Sequence, residues 1–375
     1  MAGKEILVVA GDRGGWNALE LPISRALDAG CNVRVYFVAT CGEQFANGKL
    51  LPDVRIKRVV KGTSDPVEMA KFFGRSRHDL TVVGASQSEE GAQAAWHALV
   101  LGQTTPRLGL QDMYGSSMPT LRLASNALDC LCVTDEFSRN LVLREFPELC
   151  NHIVVTGGPQ FDKTIEVKND WAEKRRQLRE AMQVSDEQIV FLVAGGLNGT
   201  AEMLKLLWDG IEFAGLEQRA KVVIRVHPRA IEKYEQLVEH MSVAELKRFT
   251  DVDRKLAPFS EDLLPSVDFV LSGYSTTNYY GILYGMLGVV YVGTPAFKKD
   301  LKKEKGLDRP PEVDVGAGWY VQTGADMGKV IIAVRHGVRV APLLKVMEAQ
   351  STIASYNDGH ATDRVWEEMQ KLMAG

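Results

Sequence analysis

Residues 189–204 read IVFLVAGGLNGTAEML. The stretch opens with an unbroken apolar, β-branched run, the pattern of a strand covered on both faces and therefore of a parallel sheet. It then turns through Gly195, Gly196 and Gly199 and enters the helix-forming TAEML. Strand, glycine turn and helix in that order open a βαβ unit. The same order stands at the amino end, EILVVAGDRGGWNALELP over residues 5–22. Two such openings, half a chain apart, predict α/β architecture built twice.

The rest of the chain follows the same grammar. EILVVAG, NVRVYFVAT, VRIKRVV, LTVVGAS, RLGLQD, CLCVTD and HIVVTGG read as strands in the first half, and QIVFLVAGG, KVVIRVHP, DFVLSGY, GVVYVG and GWYVQT in the second. The break falls after GGPQFD, where the charged amphipathic NDWAEKRRQLREAMQVSDEQ leads into a fresh strand. This places a first Rossmann-like domain at 1–165 and a second at 166–355. The terminal YNDGHATDRVWEEMQKLMAG, residues 356–375, carries Val365, Trp366, Met369, Leu372 and Met373 at helical spacing and must pack on something; the expectation is the first domain.

Composition narrows the function classes. The 375 residues are 45% hydrophobic and 25% charged, with a net charge of −4, so no global basic field attracts nucleic acid. Basic residues cluster only at Lys298, Lys299, Lys302, Lys303 and Lys305, a run that reads as a solvated face. The opening MAGKEILVVAGD is too short to span a bilayer and reads as a first strand rather than a signal. Five cysteines, odd in number and without a CxxC pair, suggest reduced thiols, a cytoplasmic protein and no zinc site.

In open α/β sheets ligands sit beyond the carboxyl ends of the strands, where helix amino termini present free N–H groups. Four such places are informative. In GDRGGWNALELP, Gly14 and Gly15 allow a tight turn, but the spacing is not GxGxxG and no acid ends the second strand, so a dinucleotide is not expected. In AGGLNGTAEML, Gly195, Gly196 and Gly199 with Asn198 form a nest of N–H donors suited to phosphate. RVHPRA ends a strand with His227 and Arg229, the latter a fork for phosphate. YSTTNYYG, residues 274–281, sets Ser275, Thr276 and Thr277 at a helix start, where one hydroxyl would suffice as a cap and three suit an anion, provisionally a diphosphate.

Together these stretches resemble the GT-B-type glycosyltransferases: two Rossmann-like domains with a cleft between them, a nucleotide-sugar held mostly by the second. VVAGDRGGW and FLVAGGLNG are similar to the two glycine-rich loops of the peptidoglycan N-acetylglucosaminyltransferase, and VVTGGPQFD to the segment that ends the first domain. VHPR and SVDFVLSGYSTTNYYGILYGMLGVVYVG resemble the elements that bind donor phosphate and ribose. Two positions depart from that pattern. Trp16 stands where relatives place a catalytic His, and Tyr280 where they place the acid that binds ribose.

The resemblance implies an enzyme that needs no cofactor, takes a nucleotide-activated sugar as substrate and transfers the sugar, or a related group, to an acceptor hydroxyl. The first domain would face the acceptor and the second the donor. An inverting transferase needs a general base, and Asp112, ending RLGLQD, and Asp12, in the first loop, are the acids at strand ends; Glu20 lies further into the helix and should be solvated. No metal is implied. Two rivals stand beside this reading: a sugar-nucleotide 2-epimerase or hydrolase, which shares the fold and the loops, and a non-catalytic binding or assembly protein that retains the fold. The base, the sugar, the acceptor and any homo-oligomer stay open.

Overall fold

The computed structural model describes residues 1–73, 78–85, 88–101, 104–114, 117–227, 230, 233–239, 241–336 and 341–375. The chain divides into two compact units, one of Met1–Lys163 with Tyr356–Gly375 and one of Thr164–Ser355.

The first unit is built on a parallel sheet of seven strands: β1 (Glu5–Ala10), β2 (Asn32–Phe37), β3 (Arg58–Lys61), β4 (Leu80–Gly84), β5 (Arg107–Leu110), β6 (Cys130–Val133) and β7 (Ile153–Val155), in the order β3-β2-β1-β4-β5-β6-β7. Its central strands are buried on both sides, as their apolar runs require; β1 pairs with β2 from Glu5↔Asn32 to Ala10↔Phe37 and with β4 from Ile6↔Leu80 to Val9↔Val83. One face packs on helix Arg13–Asp28 and on the terminal helix Ala361–Ala374, whose Val365, Trp366, Met369 and Met373 join Ile6, Val8, Trp16 and Phe37 in one core. The opposite face buries Leu7, Val9 and Val83 with Met69, Phe72, Ala95 and Leu99.

The approach to the terminal helix is fastened by hydrogen bonds. Asn357 Oδ1 accepts from the Gly158 N–H at 3.0 Å, Asp162 accepts from the N–H groups of Ala361 and Thr362 at 3.0 and 2.8 Å, and Arg364 Nε donates to Thr156 O at 2.7 Å. Gly157, at φ +82°, lies so near Tyr356 O that a Cβ would overlap it, so only glycine fits there.

The second unit has a parallel sheet of five strands: β8 (Ile189–Ala194), β9 (Ala220–Arg225), β10 (Phe269–Ser272), β11 (Val289–Val292) and β12 (Trp319–Val321), in the order β12-β11-β10-β8-β9. One face holds Phe191, Val193, Val222, Leu271, Val290 and Val292 against helices Thr200–Phe213 and Gly324–Arg335, with Phe191 and Phe269 stacked at 5.0 Å. Helix Trp171–Ala181 is tied to the segment leading into β10: Arg175 bonds Asp268 at 2.8 Å, and the buried Arg179 donates to Ser266 O at 3.1 Å.

All twelve strands read from the sequence are present, because short β-branched runs bounded by glycine or proline have few other ways to be buried. Strand order reverses at β1/β4 in the first unit and at β8/β10 in the second. At such a reversal the flanking helices leave on opposite faces and open a crevice beyond the carboxyl edge, where ligands of this architecture bind. Among the described residues no helix is long and apolar enough to cross a membrane.

Candidate functional site

In the first unit the reversal lies between the turn after β1 and the segment after β4. Gly15 is there to let backbones meet, since a Cβ on it would stand 2.6 Å from Ala85 O. Gly14 has another neighbour: a Cβ would overlap Oδ2 of Asp112, so the carboxylate delivered by the end of β5 rests directly on the glycine turn. Gln160 donates to the Asp112 carbonyl at 2.6 Å and fixes the backbone beneath that carboxylate.

Asp12 is used differently. It occupies the N-cap position of helix Arg13–Asp28 but makes no capping bond; its carboxylate accepts from Ser88 Oγ at 2.9 Å and Ser88 N–H at 3.2 Å. It therefore fastens the segment after β4 to the turn after β1. Trp16 faces the core, 1% exposed and edge-on to Phe37 at 4.8 Å, so it serves packing. Glu20 is exposed, as its place in the helix suggested.

In the second unit the loop 195–199 and the segment 273–275 meet at the β8/β10 reversal, with His227 beyond the end of β9 on the far side of β8. The parallel strands bring Gly195, Gly196, Asn198, Gly199, His227, Ser275, Thr276 and Thr277 to one edge of the sheet. Pro228 and Arg229 lie outside the described residues. His227 is half-buried, and its carbonyl accepts from the Ala230 N–H at 2.9 Å.

The glycines of this edge have a partner that the sequence did not announce. Phe297, 3% exposed on helix Pro295–Lys305, lies against three of them: a Cβ would come 2.7 Å from its ring at Gly196, 3.6 Å from it at Gly199, and would overlap it at Gly273. Gly199 also adopts φ +78°, a left-handed turn that glycine tolerates. Asn198 donates from Nδ2 to Asp300 Oδ2 at 3.0 Å, a second tie between loop and helix. Lys298, Lys299, Lys302 and Lys303 project from the exposed side of that helix.

Helix Thr276–Leu283 is capped by Ser275, whose Oγ accepts from the Thr277 N–H at 3.2 Å and donates to Thr277 Oγ1 at 3.2 Å. Capping thus occupies two of the three hydroxyls, and Thr276 is left exposed at the helix start. Asn278 is wholly buried and donates to Val290 O at 2.8 Å, anchoring the helix to β11. Tyr280 is half-buried; desolvation pushes its phenol well above the ordinary range, and the nearby Glu261 carboxylate adds to the shift. Among the described residues no cluster of three His, Cys, Asp or Glu side chains could hold a metal.

No protein-family model matches this sequence, and no curated protein matches it. Solved structures do match. The UDP-GlcNAc 2-epimerase of Neisseria meningitidis, determined with UDP-GlcNAc bound, superposes with a TM-score of 0.67 at 15% identity, covering 98% of this chain and 100% of that one. The fold is the GT-B fold. The UDP-GlcNAc 2-epimerase of Methanocaldococcus jannaschii follows at 0.65 and 16%, covering 98% and 99%. A glycosyltransferase of Rickettsia africae gives 0.62 and 12%, covering 100% and 99%. At these identities the likeness is one of fold, spanning both units, and the strand ends carry the argument about chemistry.

Proposed function

We propose that the protein is a GT-B-type glycosyltransferase whose second unit binds a nucleotide-activated sugar and whose first unit supplies the base that activates an acceptor hydroxyl. The observation that carries this reading is the convergence of loop 195–199, Ser275–Thr277 and His227 on the carboxyl edge of the second sheet, beside its strand-order reversal. Backbone N–H groups of the glycine loop and the capped helix start suit a diphosphate, and no lysine is needed to hold it.

Asp112 is the preferred base. Its carboxylate rests on a glycine turn at the other reversal, whereas Asp12 spends both oxygens on Ser88. As base, Asp112 would take the proton of the acceptor hydroxyl as its oxygen attacks the anomeric carbon and the nucleoside diphosphate departs. A second reading, sugar-nucleotide 2-epimerase, is supported by the superposition on two such enzymes. A non-catalytic binding protein is the third, favoured by Trp16 serving the core.

A thermal-shift panel of UDP-, GDP- and CDP-sugars, followed by mass spectrometry of the products, separates the three. Stabilisation with transfer to an added acceptor supports the transferase. Conversion of the sugar without an acceptor supports the epimerase or a hydrolase. The absence of a shift with every member removes the donor site.

A further inference from the structure

Helix Pro295–Lys305 has two faces of different character. Its inner face holds the glycine loop: Phe297 is buried against Gly196, Gly199 and Gly273, and Asp300 Oδ2 accepts from Asn198 Nδ2 at 3.0 Å. Its outer face carries Lys298, Lys299, Lys302 and Lys303, all exposed, in two i,i+4 pairs of like charge that repel one turn apart. Lys302 meets Asp308 at 3.0 Å, while among the described residues Lys298, Lys299 and Lys303 pair with no carboxylate. Lys302 and Lys303 suit the carboxyl-terminal end of the helix dipole, but Lys298 and Lys299 stand in its amino-terminal half, where a cation gains nothing from it. A helix that needed only solubility would mix the signs of its surface charges.

The face stands close to the donor loop. Lys298 and Lys299 lie in sequence between Phe297 and Asp300, the two residues that touch residues 196–199, so their charges originate within one helical turn of that loop. A turn is about 5.4 Å of helix axis. That is inside the screening length of about 8–10 Å at ordinary salt. The chain as a whole carries a net charge of −4, so an anion approaching it is repelled on average and needs a local field of the other sign. Among the described residues this outer face shows no large exposed apolar side chain, which a bilayer or a protein partner would engage. A small mobile polyanion is the partner that such a face fits.

We infer that the lysine face of helix Pro295–Lys305 is an electrostatic guide, which speeds the arrival of a nucleoside diphosphate at the glycine loop without holding it once bound. The inference rests on the reading of the second unit as the donor-binding one and divides the labour there: side-chain charge captures, and backbone N–H groups retain. Exposed ammonium groups stay hydrated and add little to a bound complex, whereas their summed field acts before contact is made.

The test is stopped-flow measurement of association and dissociation rates for UDP, CDP and GDP on the whole protein, across a series of salt concentrations. The variant replaces all four lysines: Lys298→Gln, Lys299→Gln, Lys302→Gln and Lys303→Gln. At low salt it should bind the preferred diphosphate about tenfold more slowly than wild type, the lower end of what steering supplies, with its dissociation rate unchanged. The difference should close near about 1 M salt, where the screening length is about 3 Å. The matching nucleoside, which carries no phosphate, should associate with both proteins alike. Equal melting temperatures exclude misfolding; should the fourfold variant melt early, Lys298→Gln with Lys299→Gln decides, at about half the effect on a logarithmic scale. Equal association rates at low salt, or a loss that falls on dissociation and survives high salt, overturns the inference and leaves the donor site standing. Failure of every diphosphate to bind wild type removes the donor site, and the inference with it.

Discussion

The Phe297 ring offers the sharpest test of how the second unit holds its loops. Phe297→Ala should remove a buried ring that lies against Gly196, Gly199 and Gly273 at once. Truncation of a buried phenylalanine costs about 3–5 kcal/mol. For a unit of this size that corresponds to a fall of roughly 6–20 °C in its melting transition. Gly196→Ala in the wild type should cost about 1–3 kcal/mol by overpacking, because the new Cβ would stand 2.7 Å from the ring. In the Phe297→Ala background the same methyl enters space that the ring has left, so its cost should vanish, and the two changes should show a coupling of about 1 kcal/mol or more. Scanning calorimetry of the four proteins measures the cycle, and hydrogen exchange at residues 195–199 and 273–275 reports whether the loops loosen. A cost for Phe297→Ala below about 1 kcal/mol, or the same cost for Gly196→Ala in both backgrounds, would refute the claim that these glycines exist to receive the ring.

Three further outcomes are expected. Asp112→Asn should leave nucleotide affinity unchanged and lower turnover by about 10²-fold or more, the usual contribution of a positioned base; steady-state kinetics with calorimetric binding checks both halves. Gly157→Ala combines a left-handed φ with overlap on Tyr356 O, so it should loosen the approach to the terminal helix and lower the melting temperature of the first unit, read by calorimetry and by proteolysis near residue 356. Glu261 titrates above its ordinary 4.5 in the fold, so between that value and its raised one the native state holds a proton that the unfolded chain has released. Stability should therefore fall as pH rises through that window, and denaturant titrations should show that contribution to the slope removed in Glu261→Gln.

Much of the architecture was legible in the residues themselves. A run such as IVFLVA can be buried on both faces only within a covered sheet, and a glycine pair after it reports a backbone that needs tight turns or close approach; both are demands of adjacent residues on one another. The helical spacing of Val365, Trp366, Met369 and Met373 likewise announced a buried face. What filled the neighbouring space was not legible, because a missing Cβ does not say what occupies its place. Gly196 receives a ring from a helix a hundred residues on, Gly14 receives the Asp112 carboxylate, and Asp12 is claimed by Ser88. Local backbone demand travels with the sequence; the identity of the partner depends on strand order, and strand order is settled by which faces can be buried together.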